Sequence, residues 1–269
     1  MIIDFHTHVF PDKIAAKTID YLAKKCDIPP YSDGSVNRLL QRLGEAKVDI
    51  GVTLPVVTSP KQFESINRFA GEINAAYEKS SPRLISFAGI HPLCEDIEGK
   101  MKAIKNAGFI GVKIHPDYQE TFIDDDGYVR IMRAAAENDL VVVTHSGVDG
   151  GYRDLPVKCT PERVLRLLKK APHSKLVLAH LGANEMFGEV LESLCGLDVY
   201  FDTAFILKYV DKEIFKRILN KHGKERILFA TDSPWSNIKD DVEKLRSFEL
   251  GKETEEMIFS QNAKKLLGI

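Results

Sequence analysis

The stretch Val141-Val142-Val143-Thr144-His145-Ser146-Gly147 is an apolar run that ends in polar side chains and a turn. Near-continuous apolar runs of this length are typical of strands buried on both faces of a parallel sheet. The same kind of run recurs along the whole chain and predicts eight strands: Ile2–Phe5, Ile50–Val57, Leu84–Ile90, Phe109–Ile114, Leu140–Thr144, Lys175–Ala179, Leu197–Thr203 and Arg226–Thr231.

Helical patterns fill the segments between these runs. In one of them Val164, Leu167 and Leu168 lie three or four residues apart, after Thr160 as N-cap and Pro161 at the first helical position. Eight strands alternating with helices in 269 residues predict an α/β fold, a closed (β/α)₈ TIM barrel forming one domain over residues 1–269. An open dinucleotide-binding sheet would need a glycine-rich turn after the first strand, and no glycine follows it.

Composition and charge narrow the class of protein. The formal net charge is −2 with lysines and arginines scattered, which is unlike a nucleic-acid binder. The four cysteines form no CxxC pair and are expected as free thiols in a reducing compartment. No signal peptide and no apolar run of roughly 20 residues is seen. We therefore expect a cytoplasmic protein that acts on a small molecule and binds neither nucleic acid nor membrane, with a homodimer left open.

The histidines are unevenly placed along the chain. Six of the eight lie at the C-terminal ends of predicted strands, where barrel enzymes build their active sites. His6 and His8 are two residues apart, so strand alternation should turn both into the barrel lumen, although an HxH pair alone is weak support for a metal site. The six are His6, His8, His91, His115, His145 and His180.

Asp232 follows the eighth strand, which neighbours the first in a closed barrel. This brings its carboxylate beside His6 and His8, with His145 across the lumen. Taken singly, His145 and His180 could be histidines satisfied by the backbone, and Asp232 a helix cap or turn residue. Taken together, three imidazoles and one carboxylate around an open position are typical of a catalytic metal site.

These motifs resemble the amidohydrolase superfamily, in the branch around aminocarboxymuconate-semialdehyde decarboxylase, which also contains lactonases and other hydrolases. The resemblance implies one divalent ion on His6, His8, His145 and Asp232, with zinc expected and manganese as the alternative. It also implies that His180 activates water or polarises the substrate. The segments that carry it are Asp4–His8, Gly111–Pro116, His145, His180–Gly182, Thr231–Trp235 and Asn262–Gly268.

The sequence also predicts the positions and roles of three further residues near this site. Some superfamily members bridge two metals with a carboxylated lysine at the end of the fourth strand, but His115 stands there in this chain. Lys113 is two residues earlier and is expected one layer deeper, so we expect no bridging lysine and keep His115 as an extra ligand or substrate contact. Asp4 is expected on the lumen face, orienting an imidazole from below.

Four functions are compatible with these residues. The preferred one is a metal-dependent hydrolase of an amide, lactone or related bond, in which the ion lowers the pKa of its water toward roughly 7 and His180 or Asp232 takes the proton. The alternative is a non-oxidative decarboxylase of an aromatic or unsaturated acid. A metal-free lactonase is disfavoured by the intact ligand set, and a non-catalytic metal-binding protein has no feature in its favour.

The loops after the strands should separate hydrolase from decarboxylase. A carboxylate substrate needs a cation near the metal, and Arg153 is the best candidate, with a solvent-exposed arginine as the equal alternative. Aromatic residues just past the strand ends could form the walls of a substrate pocket: Tyr118, Tyr152, Phe205 and Trp235. We assign substrate binding to His91, His115, Arg153 and Trp235.

Overall fold

The computed structural model describes all residues 1–269 and contains nine short strands. All neighbouring strands are parallel, in the orders β1-β2-β3 and β4 to β9. The strands are Ile3–Thr7 (β1), Ile50–Thr53 (β2), Arg83–Ser86 (β3), Ala88–Gly89 (β4), Gly111–Ile114 (β5), Val141–Thr144 (β6), Leu176–Leu178 (β7), Tyr200–Asp202 (β8) and Ile227–Leu228 (β9).

The predicted barrel is confirmed. The predicted strand Leu84–Ile90 appears as β3 and β4, interrupted at Phe87, so nine observed strands correspond to eight barrel positions. A parallel bridge between Thr7 and Ser233 joins the first strand to the segment after the last and closes the ring.

Helices follow the strands and cover the outside of the barrel. Thr160 caps its helix as predicted, because its side chain accepts a hydrogen bond from the Arg163 backbone N–H. None of the helices is long and apolar enough to cross a membrane. The helices are Asp12–Cys26 (α1), Val36–Glu45 (α2), Phe63–Tyr77 (α3), Ile97–Asn106 (α4), Asp126–Glu137 (α5), Pro161–Lys170 (α6), Phe187–Glu189 (α7), Lys212–His222 (α8), Ile238–Arg246 (α9), Lys252–Glu256 (α10) and Asn262–Leu267 (α11).

Strand alternation divides the core into two apolar clusters. In β6, Val141 and Val143 belong to an inner cluster that fills the barrel, whereas Val142 belongs to the outer cluster beneath the helices. Helix α11 adds Leu266 and Leu267 to the inner cluster. Its Asn262 amide donates to the carbonyl of Ile227, where β9 begins, so α11 closes the end opposite to the strand C-termini.

The alternation fails in β1, and this failure positions the site. Its pairing with β2 shifts register between Asp4 and Thr7. Ile3 and Phe5 pack in the inner cluster, yet His6 also faces the lumen, where its ring contacts other lumen side chains. A bulge of this kind re-aims one side chain. Asp4 was expected to orient an imidazole, but its carboxylate accepts from Thr231 and from the His6 backbone N–H, and it bonds to no ring nitrogen.

Candidate active site

Three of the predicted ligands converge at the C-terminal end of the barrel. The His6 Nε2 and His8 Nε2 atoms lie 3.2 Å apart, and Asp232 Oδ1 is 3.5 Å from the first and 3.0 Å from the second. A tetrahedral ion with bonds of about 2.0–2.1 Å separates its ligand atoms by roughly 3.3 Å. The three atoms are therefore spaced as one face of such an ion requires.

Hydrogen bonds to the far sides of the two rings set their orientation. His6 Nδ1 bonds to Asp202 Oδ2 at 2.9 Å and His8 Nδ1 to the Leu54 carbonyl at 2.8 Å. These partners assign the ring protons to Nδ1 and leave a lone pair on each Nε2. Two such nitrogens and a carboxylate oxygen face one another with their lone pairs, and these lone pairs repel. A metal ion bound between the three atoms would remove this repulsion.

His6 and Asp232 are held in the protonation states that bind metal, by burial in one case and by neighbouring groups in the other. Burial lowers the pKa of His6 well below its ordinary value, so the ring is a neutral imidazole. Burial by itself would raise the pKa of Asp232, but the facing His6 and His8 outweigh it and bring the value to about 2. Asp232 is therefore an anion at neutral pH.

Asp232 and His180 both stand in left-handed backbone conformations at strand ends. Their φ angles are 64° and 61°, a region that residues other than glycine seldom adopt. The Asp232 N–H donates to the His6 carbonyl at 2.8 Å, and the His180 N–H donates to Asp202 Oδ1 at 2.9 Å. Strained turns of this kind aim side chains at functional sites.

His180 and His145 form a hydrogen-bonded pair beside the three ligands. His180 Nδ1 bonds to the Ala204 carbonyl at 2.9 Å, and its Nε2 bonds to His145 Nδ1 at 2.9 Å. The His6 and His180 ring centroids are 5.7 Å apart. The structure thus brings His180 next to His6 and places His145 one ring further away than the predicted four-ligand set requires.

His145 groups instead with residues that follow β5 and β6. Its ring stacks on that of His115 at a centroid distance of 4.3 Å, and His115 Nε2 is 3.4 Å from Asp149 Oδ2. The ligand atoms of these three residues lie within 4.8 Å of one another, as in a potential metal site. Asp117 approaches from the side, with its Oδ2 4.0 Å from His145 Nε2.

Lys113 reaches higher in the barrel than its place in β5 suggested. Its Nζ lies 3.2 Å from His6 Nε2, although the side chain is buried. Burial lowers the pKa of this amine to about 8. Lys113 starts one layer deeper, as expected, and its four methylene groups span the intervening layer, so that the amine reaches His6.

A cavity of about 650 Å³ opens onto both groups of side chains. Its walls are mostly apolar and aromatic, with Tyr118, Tyr152, Phe205 and Trp235 among them, as the sequence suggested. His115 also lines it, 4.0 Å from Tyr118 between ring centroids. A volume of this size suits a small molecule with a flat, apolar body.

Two predicted substrate contacts, His91 and Arg153, lie outside the cavity. His91 does not line the cavity; its Nδ1 accepts a hydrogen bond from the Leu93 N–H in the turn after β4. Arg153 also lies outside the cavity, where its guanidinium pairs with Glu185 and its side chain is 57% exposed. The Glu185 carboxylate holds the arginine there.

Two residues at the site were not predicted. Asp202 ends β8 and bonds to His6 Nδ1; a carboxyl group inside an apolar run could have signalled it. Lys25 belongs to α1, far from any strand end, so no strand pattern could identify it. Its Nζ stands 3.6 Å over the Tyr152 ring centroid, and Lys25 lines the cavity.

The chain matches one known protein family over nearly its whole length. The sequence matches the family described as Amidohydrolase over residues 3–269. No curated protein matches the chain.

Several solved structures share the fold over almost their whole length. A 2,6-dihydroxybenzoate decarboxylase from Rhizobium is 16% identical, with a TM-score of 0.70 and coverage of 99% of this chain and 98% of that one. A 5-carboxyvanillate decarboxylase from Novosphingobium aromaticivorans, complexed with manganese and 4-hydroxy-3-methoxy-5-nitrobenzoic acid, is 16% identical, with a TM-score of 0.71 and coverage of 100% and 96%. An uncharacterised TIM-barrel protein from Bordetella bronchiseptica is 16% identical, with a TM-score of 0.76 and coverage of 99% and 98%. At these identities the likeness shows the fold.

Proposed function

This chain belongs to the amidohydrolase family of enzymes, and from that premise we propose that it is a metal-dependent, non-oxidative decarboxylase of an aromatic or unsaturated carboxylic acid. The metal would be held by His6, His8 and Asp232, with zinc or manganese as the ion. The decarboxylases of the same fold support this choice over the hydrolase that the sequence alone favoured.

The observation that carries the proposal is the cavity beside the three ligands. Its aromatic walls suit a flat ring, and the Lys25 amine at the wall suits a negative charge on the same molecule. A substrate bound there would have its charged end between a lysine and the metal ligands. A neutral amide or lactone would gain nothing from this positive charge.

The side chains supply the proton movements that decarboxylation needs. When bound, the ion supplies a positive charge that holds the substrate oxygens beside it. The bond between ring carbon and carboxylate breaks, carbon dioxide leaves, and the electron pair stays on the carbon. The carbon takes up one proton, which we assign to His180 Nε2 in the imidazolium form of the ring, because His180 Nδ1 keeps its proton on the Ala204 carbonyl. The neutral His180 that remains takes a new proton from solvent, with its Nε2 2.9 Å from His145 Nδ1.

Hydrolysis of a neutral amide or lactone is the second candidate. It is favoured by Arg153, which pairs with Glu185 outside the cavity and leaves no arginine to hold a carboxylate. In that reaction His180 would take a proton from the attacking water instead of giving one to carbon. The two candidates share the ligands and differ in the direction of this transfer.

A substrate panel tests the proposal directly. Purified enzyme supplied with Mn²⁺ or Zn²⁺ is incubated with hydroxylated benzoates, unsaturated acids, lactones and amides, and carbon dioxide release and products are followed by gas analysis and NMR. We expect carbon dioxide from one or more of the acids and no hydrolysis. Hydrolysis of a lactone or amide without carbon dioxide release from any acid would overturn the proposal in favour of the second candidate.

Replacing Lys25 tests whether the substrate is an anion. Lys25→Met removes a charge-assisted hydrogen bond worth about 1.5 kcal/mol, so KM for the acid should rise about tenfold while kcat changes little. Arg153→Met is the matched control and should leave both constants within about twofold, because its guanidinium lies outside the cavity. Equal effects of the two changes would contradict the assigned role of Lys25.

A further inference from the structure

A second cavity lies at the end of the barrel opposite to the candidate active site. Its volume is about 580 Å³. It is bordered by the residues just before β7 and β9, by the first residue of β8, and by helix α11, which closes this end. The two cavities share no lining residue, so a ligand bound here would be separate from the substrate.

Cationic side chains from three elements line this second cavity. They are Lys175 before β7, Arg226 before β9 and Lys265 on α11. Lys175 pairs with Asp139 and Arg226 pairs with Asp198, whereas Lys265 belongs to no ion pair. Guanidinium and ammonium groups that converge from separate elements are a common way of binding the oxygens of phosphates and carboxylates.

Two acidic residues also line the cavity, fewer than the three cations. Asp198 Oδ1 lies 2.7 Å from Arg226 Nη2, but the Asp198 side chain is 65% exposed. An exposed ion pair of this kind contributes little stability, so an incoming anion can replace Asp198 on the guanidinium at small cost. The other acid is Glu225, whose carboxylate turns toward Gly223 in its own turn.

Tyr200 supplies an independent sign of a ligand. The residue is 7% exposed and packs in the inner apolar cluster, yet it lines this cavity and its hydroxyl has no hydrogen-bond partner in the protein. The hydroxyl of a buried tyrosine usually finds a partner. Burial raises the pKa of Tyr200, so the hydroxyl keeps its proton and can donate it to an acceptor in the cavity.

We infer that this cavity binds a small oxyanion, a phosphate or carboxylate compound, whose oxygens pair with Arg226 and Lys265 and accept from the Tyr200 hydroxyl. The volume suits a small organic molecule. If the charged side chains only stabilised the barrel, the Lys265 ammonium and the Tyr200 hydroxyl would have water as their only partner. The inference does not depend on the reaction proposed above, because the substrate would occupy the other cavity.

Calorimetry with three probes tests the site and separates the two kinds of oxyanion. The metal-loaded enzyme and its variants are titrated with inorganic phosphate, pyrophosphate and citrate. Tyr200→Phe keeps the ring and loses the hydroxyl, whereas Lys265→Met loses the unpaired charge. We expect at least one probe to bind, and each substitution to weaken that binding about threefold to tenfold, as the loss of one hydrogen bond does.

Lys264→Met is the matched control, because Lys264 is the neighbouring lysine of α11 and does not line the cavity. Its affinity for the probe should stay within about twofold of the wild type. Binding of phosphate or pyrophosphate alone would identify a phosphate compound as the ligand class, and binding of citrate alone would identify a carboxylate.

A crystal soaked in the tightest-binding probe gives a readout that needs no variant. Density for the probe between Arg226, Lys265 and the Tyr200 hydroxyl supports the site even if Tyr200→Phe fails to fold. The inference is overturned if no probe binds, if neither substitution weakens binding, or if the soaked probe occupies only the active-site cavity. None of these outcomes depends on decarboxylase activity, so failure of the proposed function is distinguishable from failure of this site.

Discussion

Two clusters of histidine and carboxylate side chains share one cavity, and they differ in how they are held. In the first cluster, His6, His8 and Asp232, the two ring nitrogens that point away from the centre are bonded to fixed partners. In the second, His115, His145 and Asp149, the His145 ring has one nitrogen bonded to His180 and one with no partner. A set of ligands is recognised by the outer hydrogen bonds that fix its rings as well as by residue type.

The largest effect should come from removing the first cluster. The double variant His6→Ala, His8→Ala takes away two of the three converging ligands, so activity should fall to background and one bound ion should be lost. Metal analysis and the substrate assay check this. His91→Ala, a strand-end histidine outside the cavity, serves as control and should keep both metal and activity. Full metal content in the double variant would refute the site.

An intermediate effect is expected at His180, which connects the two clusters. His180→Asn removes the proton carrier without removing a ligand of the first cluster. A general acid–base group typically contributes about 10²–10⁴-fold, so kcat should fall by that range while metal content stays unchanged. If metal leaves with the substitution, His180 is a ligand and its assigned role is wrong.

The smallest effect should come from Asp202, whose carboxylate bonds to the outer ring nitrogen of His6 in the first cluster. Asp202→Asn weakens the bond that fixes His6 Nδ1, and partners of this kind typically contribute about 10–100-fold to metal affinity or activity. Competition with a metal-binding dye measures the affinity. Asp4→Asn is the matched control, since Asp4 is equally buried and bonds to Thr231 and to the His6 backbone N–H but to no imidazole nitrogen. An equal loss of metal affinity in both variants would contradict the role assigned to Asp202.

The barrel and most of the first cluster could be predicted because both follow from periodicity. Apolar runs mark the strands, and strand ends meet at one face, so His6, His8 and Asp232 could be brought together without coordinates. Whether His145 joins the same group as a fourth ligand stays a prediction, because it depends on the width of the lumen, which sequence spacing does not encode.

The misses have local physical causes. Asp4 was placed on the lumen face by strict alternation, and the register shift in β1 breaks that alternation. Arg153 was judged from its distance to a strand end, whereas its direction depends on Glu185, 32 residues further along the chain. Lys25 enters the cavity from a helix, so no argument based on strand ends could reach it.

The bridge between Thr7 and Ser233 has a consequence for how the protein is made. The first cluster straddles this seam, with His6 and His8 on one edge and Asp232 on the other. A nascent chain therefore carries its HxH pair long before Asp232 is made, and it cannot assemble the cluster until the last strand has left the ribosome. Ion binding should come late in folding and tie the two ends of the ring together, so that the loaded barrel opens more slowly than the empty one.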